Sequence, residues 1–204
     1  AVVEAAIRTV CYEEVHAMTD PIRVHIRWMI HRDMPEILAI EAESFELPWL
    51  EKDFIRCLRQ KSCIGMVAEY DDRIVGFMLY KLHKRQTHIL DFAVAADSRR
   101  RTVGSQLVAK LKGRLSVQRR HRLMLEIRER NVGGQLWFQS QGFRCVSVLR
   151  DFYEATGEDA YVMQYRLGDE REQWQSQNRV SKWLQDTQHD AGGGHGHGST
   201  DDRP

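Results

Sequence analysis

The stretch that most constrains this chain runs from His88 to Leu111. An apolar run, His88-Ile89-Leu90-Asp91-Phe92-Ala93-Val94, is followed by Ser98-Arg99-Arg100-Arg101-Thr102-Val103-Gly104-Ser105 and then by a helical pattern, Leu107-Val108-Ala109-Lys110-Leu111. The order reads as strand, basic turn, helix. A turn that opens a helix leaves several backbone N–H groups without partners, and the helix dipole adds partial positive charge there. Three arginines beside such a turn make a seat for a phosphate or pyrophosphate. The same residues also read as a solvated arginine cluster, and the stretch alone does not separate the two.

A chain of 204 residues is long enough for one domain with a proper core. The formal net charge is +1, so bulk affinity for nucleic acid is not expected and the arginines at 99–101 are a local feature. Cys11, Cys57, Cys63 and Cys145 form no CxxC pair and no metal spacing. They are expected to be free thiols in a reducing cytosol, with no metal site. Cys63 and Cys145 fall within strand patterns and read as core residues rather than nucleophiles. No apolar run approaches the ~20 residues of a membrane span, and no signal-peptide pattern stands out. The expectation is a cytoplasmic protein without membrane or nucleic-acid partners.

Residues 1–21 read as an extension that Thr19-Asp20-Pro21 closes. Val24 to Ile30 alternates, with Val24, Ile26, Trp28 and Ile30 on one strand face. Asp33-Met34-Pro35-Glu36 predicts a helix start with Asp33 as N-cap and Glu36 three residues on. Met34, Ile37, Leu38 and Phe45 form its buried side, and a second short helix runs through Gln60. Ile64–Tyr70 and Ile74–Leu82 flank Asp71-Asp72-Arg73 and predict an antiparallel hairpin. Thr87–Ala95 is the next strand, followed by a helix to Gln118, a strand over Arg122–Arg128, and a helix over Asn131–Gln141 capped by Gly142. Phe143–Leu149 and Asp159–Leu167 are the last strands. The order indicates an α/β (α+β) domain, a mixed sheet with helices on both faces, over 22–167. Residues 168–190 read as a polar tail with a thin helical stripe. Residues 191–204, rich in Gly and His, read as disordered.

Several of these segments together resemble the GNAT family of acetyltransferases. They are Arg99-x-x-Thr102-x-Gly104, Leu125-Glu126-Ile127-Arg128 followed by Asn131, and Trp137-Phe138-x-x-x-Gly142-Phe143. Phe45-Glu46-Leu47-Pro48-Trp49 and Phe152-Tyr153-Glu154-Ala155-Thr156-Gly157-Glu158-Asp159-Ala160 are similar to segments of the RimI branch, the ribosomal-protein alanine acetyltransferases. The resemblance covers Val24 to Leu167.

It implies a mostly antiparallel sheet that splays between the strands at 87–95 and 122–128, with acetyl-CoA in the cleft. Phe92, Ala93 and Val94 would meet the pantetheine arm. The backbone of Arg99, Arg100, Arg101, Thr102, Val103, Gly104 and Ser105 would cradle the pyrophosphate. Asn131 and Phe138 would lie near the thiol end. Glu126 stands at the position of a general base, and Tyr153, beside Phe152, at that of a substrate-contacting aromatic. From the residues alone, Glu126 reads first as an ion-pair partner of Arg128 or Arg130.

The chain departs from the family pattern twice. Thr102 replaces the first glycine of the turn; a threonine takes φ > 0 only at a cost, though its hydroxyl brings a possible phosphate donor. Phe138 occupies the place, seven residues after Asn131, where relatives carry a Tyr acid. Tyr153, Tyr161 or water would then replace it, or the thiolate, with a pKa around 8.5 on the cysteine scale, would leave unaided.

The expected activity is acetyl-CoA-dependent acetylation of a protein N-terminal α-amine, a ribosomal protein first of all. Two alternatives stay open: a small-molecule amine acceptor, or a catalytically weak coenzyme-binding module. The sequence carries no sign of oligomeric state.

Overall fold

The computed structural model describes residues 20–168. The readings of the 1–21 extension and of the 168–190 and 191–204 tails lie outside them, apart from Asp20, Pro21 and Gly168. Seven strands form one sheet in the order β1-β2-β3-β4-β5-β7-β6. They are β1 (His25–Trp28), β2 (Cys63–Tyr70), β3 (Arg73–Leu82), β4 (Gln86–Val94), β5 (Arg122–Arg128), β6 (Arg144–Tyr153) and β7 (Glu158–Arg166). Four helices accompany them: α1 (Met34–Ser44), α2 (Glu51–Leu58), α3 (Val103–Lys112) and α4 (Val132–Ser140).

β3 shows why helices cover both faces. Successive side chains of a strand point to opposite sides. Phe77 and Leu79 are buried with Ile37 of α1 and Phe54 of α2. Met78 and Tyr80 are buried with Leu107 and Leu111 of α3 and Phe138 of α4. A strand buried on both faces reads as a continuous apolar run, as Ile74–Tyr80 does.

Every neighbouring pair of strands is antiparallel except β4 and β5. Those two run parallel through only three pairs, Gln86 with Arg122, Thr87 with Leu123 and His88 with Met124. Beyond them β4 stays with β3 and β5 with β7, so the sheet opens into the splayed cleft. The β3–β4 register also shifts, from Tyr80 opposite Ile89 to Leu79 opposite Asp91. A bulge of this kind bends its strand, and it lies where β4 leaves β5.

Several local expectations are corrected. The first strand is shorter than predicted, and its face is buried only at Val24; Trp28 and Ile30 are each 50% exposed. Asp33 holds the N-cap position of α1, but its side chain makes no capping hydrogen bond there. Its carboxylate accepts from the Arg27 guanidinium at 2.7 and 2.8 Å and from the Ile30 N–H. Glu36 accepts from the Ile74 N–H instead of completing a capping box. Phe45 lies beyond the end of α1 and is exposed. α3 stops at Lys112, and a turn in which the Ser116 N–H donates to the Arg120 carbonyl replaces the predicted continuation to Gln118.

The cysteine reading also changes. Cys57 at the end of α2 and Cys63 at the start of β2 are joined in a disulfide, and Cys145 is exposed. The chain doubles back from helix to strand over a sequence separation of 6, a closure that no CxxC spacing announces. With two cysteines joined, the chain carries no free-thiol signature of a reducing compartment. No helix among the described residues is long and apolar enough to cross a membrane.

Candidate active site

The cleft holds a cavity of about 670 Å³. Its walls are the last residues of β4, the turn into α3, the first half of α4, and Ser44 and Phe45 at the end of α1. Phe92, Ala93, Val94, Arg99, Arg100, Thr102, Val103, Gly104, Ser105, Asn131 and Phe138 all line it. Ser44, Phe45, Ser98, Ile127, Gly133, Gly134 and Trp137 line it as well and were not among the coenzyme contacts expected from the sequence.

Arg101 does not line the cavity. Its Nε donates to the Asp20 carbonyl at 3.2 Å, its guanidinium lies 5.8 Å from the Tyr70 ring centroid, and its own carbonyl accepts the Ile22 N–H. Arg99 ties two walls together: Nε donates to the Val94 carbonyl and Nη2 to the Ser44 hydroxyl, each at 3.0 Å.

The turn itself is strained. Arg100 and Thr102 have φ of 62° and 68°, values that non-glycine residues seldom adopt. Thr102 thus holds the left-handed conformation that a glycine would take without cost. Its hydroxyl does not face a phosphate seat. It donates to the Ile22 carbonyl at 3.3 Å and accepts from Gln106, whose side chain also accepts the Val24 N–H. The strained residue is anchored by the strand-like segment laid beside it.

Gly104 is required by close approach. A Cβ there would lie 3.1 Å from Phe92 Cζ and 3.1 Å from Trp137 Cζ2. Those two rings stack, with centroids 5.4 Å apart at 19°. Phe138 packs edge-on against both and against Phe143. At 6% exposure Phe138 is a core aromatic that reaches the cavity wall. Asn131 is the N-cap of α4, its Oδ1 accepting from the Gly134 N–H at 2.9 Å. Gly142, with φ of 81°, ends that helix.

The acid–base groups lie where the strands part. Glu126 Oε2 is 2.5 Å from His88 Nε2, each side chain about one-quarter exposed. Arg128 is engaged elsewhere, with Glu158 at 3.0 Å and over the Tyr153 ring at 4.0 Å. So Glu126 pairs with neither Arg128 nor Arg130. His88 is the partner that the sequence reading missed. Its only signal was a titratable residue inside an apolar run, and only the β4–β5 register brings it to Glu126. Tyr153 packs edge-on against Phe152. Burial pushes its phenol up, opposed by the Arg128 charge and reinforced by Glu126 and Glu158. It therefore holds its proton at neutral pH. Tyr161, on β7 opposite Ile127, packs against the core on the α3/α4 side.

Behind the wall, Glu41 of α1 and Asp91 of β4 are both buried. Glu41 Oε1 accepts the Trp49 N–H at 2.8 Å. Burial, then the neighbouring Glu41 charge, push Asp91 up to about 8. Burial also raises Glu41. One proton shared between the two carboxyls satisfies the oxygens that have no other partner. Among the described residues no group of three or more His, Cys, Asp or Glu is placed to hold a metal ion.

A sheet splayed between two parallel central strands, with a basic helix start at its mouth and a titratable pair at the fork, defines a coenzyme-dependent N-acyltransferase. The sequence pattern of the acetyltransferase (GNAT) family matches residues 29–143, and the chain belongs to that family. GNAT enzymes use acetyl-CoA as acyl donor. The chain is 29% identical over 133 residues to a [ribosomal protein bS18]-alanine N-acetyltransferase of Salmonella typhimurium, covering 64% of this chain and 89% of that one. It is 29% identical over 144 residues to an N-alpha-acetyltransferase of Sulfurisphaera tokodaii, covering 64% and 86%. The fold is shared with the crystal structure of the ribosomal-protein-S18-alanine N-acetyltransferase from Escherichia coli, at a TM-score of 0.64 and 23% identity over 71% of this chain and 94% of that one.

Proposed function

We propose that this N-acetyltransferase acts on the N-terminal α-amine of a protein, with a ribosomal protein as the first acceptor to test. The observation that carries the reading is the His88–Glu126 pair at the fork of the cleft. An α-amine has a pKa of about 7.7–8.0, so at neutral pH most of it is protonated and not nucleophilic. A carboxylate and an imidazole in contact accept that proton and pass it between them. The relatives named for ribosomal-protein and N-alpha acetylation support the choice of acceptor.

The wall residues fit a coenzyme. The start of α3 offers unpartnered N–H groups to a pyrophosphate, beside Arg99 and Arg100. Gly104 leaves open the space that a Cβ would fill against Phe92 and Trp137. The coenzyme supplies the acetyl group as a thioester, which the amine attacks directly. Beyond Met124, β5 no longer covers the edge of β4, and backbone N–H near Val94 is offered to developing negative charge. Tyr153 keeps a proton at neutral pH and serves as the donor in place of the hydroxyl that Phe138 lacks. Phe152 and the 47–51 segment border the acceptor's entry.

The test is mass spectrometry of a peptide with N-terminal Ala incubated with acetyl-CoA and the protein. The expected product gains one acetyl group on its α-amine. Turnover on a small amine with none on any peptide α-amine overturns the acceptor. Tight acetyl-CoA binding without turnover on any amine favours a binding module instead.

A further inference from the structure

Among the described residues, one end of the sheet carries cations with no carboxylate in the three segments that form it. Residues 81–88, 110–122 and 164–167 hold ten lysines and arginines and no aspartate or glutamate, in a chain whose 30 basic and 29 acidic residues nearly balance as a whole. The near-neutral total hid this asymmetry.

The fold gathers the three segments where β4 and β5 are still paired. Gln86 lies opposite Arg122, and Arg122 opposite Arg166. The loops are stitched by backbone. The His121 N–H donates to the Arg85 carbonyl at 3.3 Å, and the Leu167 N–H to the His121 carbonyl at 2.8 Å. The Arg120 Nε donates to the His83 carbonyl at 2.7 Å. Lys84, Arg85, Arg114 and Arg119 are exposed, and none of them takes part in an ion pair among the described residues. Crowding like charges costs stability through repulsion, and most of these side chains return nothing to the fold.

At the rim of this surface, the Arg114 guanidinium lies 4.1 Å from the Trp28 ring centroid and donates to the Tyr80 hydroxyl at 3.0 Å. Trp28 is half exposed, so part of its ring faces solvent beside the cations.

We propose that this end of the sheet docks the phosphate backbone of single-stranded RNA. Unpartnered guanidinium groups match phosphate oxygens two at a time. An exposed indole beside an arginine gives a base a surface to stack on, which a duplex does not offer. The large apolar side chain exposed within these segments is Val117, too little to insert into a bilayer. Arg85 precedes His88 by three residues, so a docked strand lies about 10 Å from the acid–base pair. The surface is independent of the acceptor assignment, and either stands if the other fails.

The test is fluorescence anisotropy of a labelled mixed-sequence 20-nucleotide RNA with the full chain at 50–200 mM salt. Binding is expected to weaken steeply with salt, by a log–log slope of about −0.7 for each phosphate engaged. The Lys84→Glu/Arg85→Glu/Arg119→Glu variant is expected to raise Kd at least about tenfold and flatten the slope, with acetylation of a short peptide unchanged within about twofold. Lys52→Glu/Arg59→Glu/Lys61→Glu makes the same change of net charge elsewhere and is expected to leave Kd within about twofold. Equal loss in both variants overturns the proposal by reducing it to net charge. No binding at 50 mM salt overturns it, and so does binding to phosphatidylserine vesicles without binding to the RNA.

Discussion

Nε2 of His88 lies 2.5 Å from Oε2 of Glu126, and the β4–β5 pairing ends at His88 itself. The two side chains meet at the fork of the sheet, at the last point where both strands still face each other. His88→Ala and Glu126→Gln are each expected to lower kcat by about 10²–10⁴. The loss should be largest at low pH, where the amine carries its proton. Residues that act as a unit lose their effect together, so the double variant should lose little beyond the worse single one. Initial rates on an Ala peptide between pH 6 and pH 9 check this. Additive losses would show that the two do not share the proton.

The arginines of the turn divide by what they touch. Arg99 reaches Val94 and Ser44 on the cavity walls, whereas Arg101 holds Asp20 and covers Tyr70. Arg99→Ala is expected to raise the KM for acetyl-CoA by about tenfold, the size of one charge-assisted contact, with kcat less affected. Arg101→Ala should lower Tm and leave that KM within about twofold. Steady-state kinetics with varied acetyl-CoA, beside thermal denaturation, separates the two.

Thr102 pays for its position with a left-handed backbone, a cost of roughly 1–2 kcal/mol for a non-glycine residue. Thr102→Gly removes that strain and also the hydroxyl bond to Ile22, so Tm should change little. Thr102→Val keeps the strain and loses the bond, and should lower Tm by several degrees. Because the hydroxyl faces Ile22 and not the cavity, both should leave acetyl-CoA affinity within about threefold, near 0.6 kcal/mol. Calorimetric binding and melting of the two variants check it.

The Glu41–Asp91 pair sets a pH dependence of stability. Asp91 titrates near 8 when folded and near 3.9 in an unfolded chain. Between those values the folded state binds more protons, so this term weakens folding as pH rises from about 4 to about 8. Asp91→Asn removes the titration and keeps a donor for Glu41. The variant should melt several degrees above the parent protein at pH 8, with the gap closing toward pH 4. Melting curves at four pH values test it; a gap that does not move with pH would detach the pair from this dependence.

Much of the fold was legible because its signals are local. The strand over Arg122–Arg128 is found at those residues, and the helix after Asn131 ends at the glycine that permits φ of 81°. The hairpin about Asp71-Asp72 follows from two apolar runs and a short gap. That the Asp33 side chain makes no cap at the start of α1 was not legible. An arginine six residues upstream competes for its carboxylate, and only the placement of β1 beside α1 brings the two together. The disulfide was hidden for the same reason, since its cysteines belong to different elements.

By itself the sequence determined the order of elements, the basic helix start, and the aromatic and glycine positions around it, because periodicity and turn chemistry act over a few residues. The tertiary structure alone decided which of those residues face the cleft. It turned Arg101 and the Thr102 hydroxyl toward residues 20–22, brought His88 to Glu126 through a three-pair parallel register, and gathered at one end of the sheet Lys84, Arg85, Arg114 and Arg119, which form no ion pair among the described residues. Each is a contact between residues far apart in sequence, set by strand register and by what is left unpartnered once the core has closed.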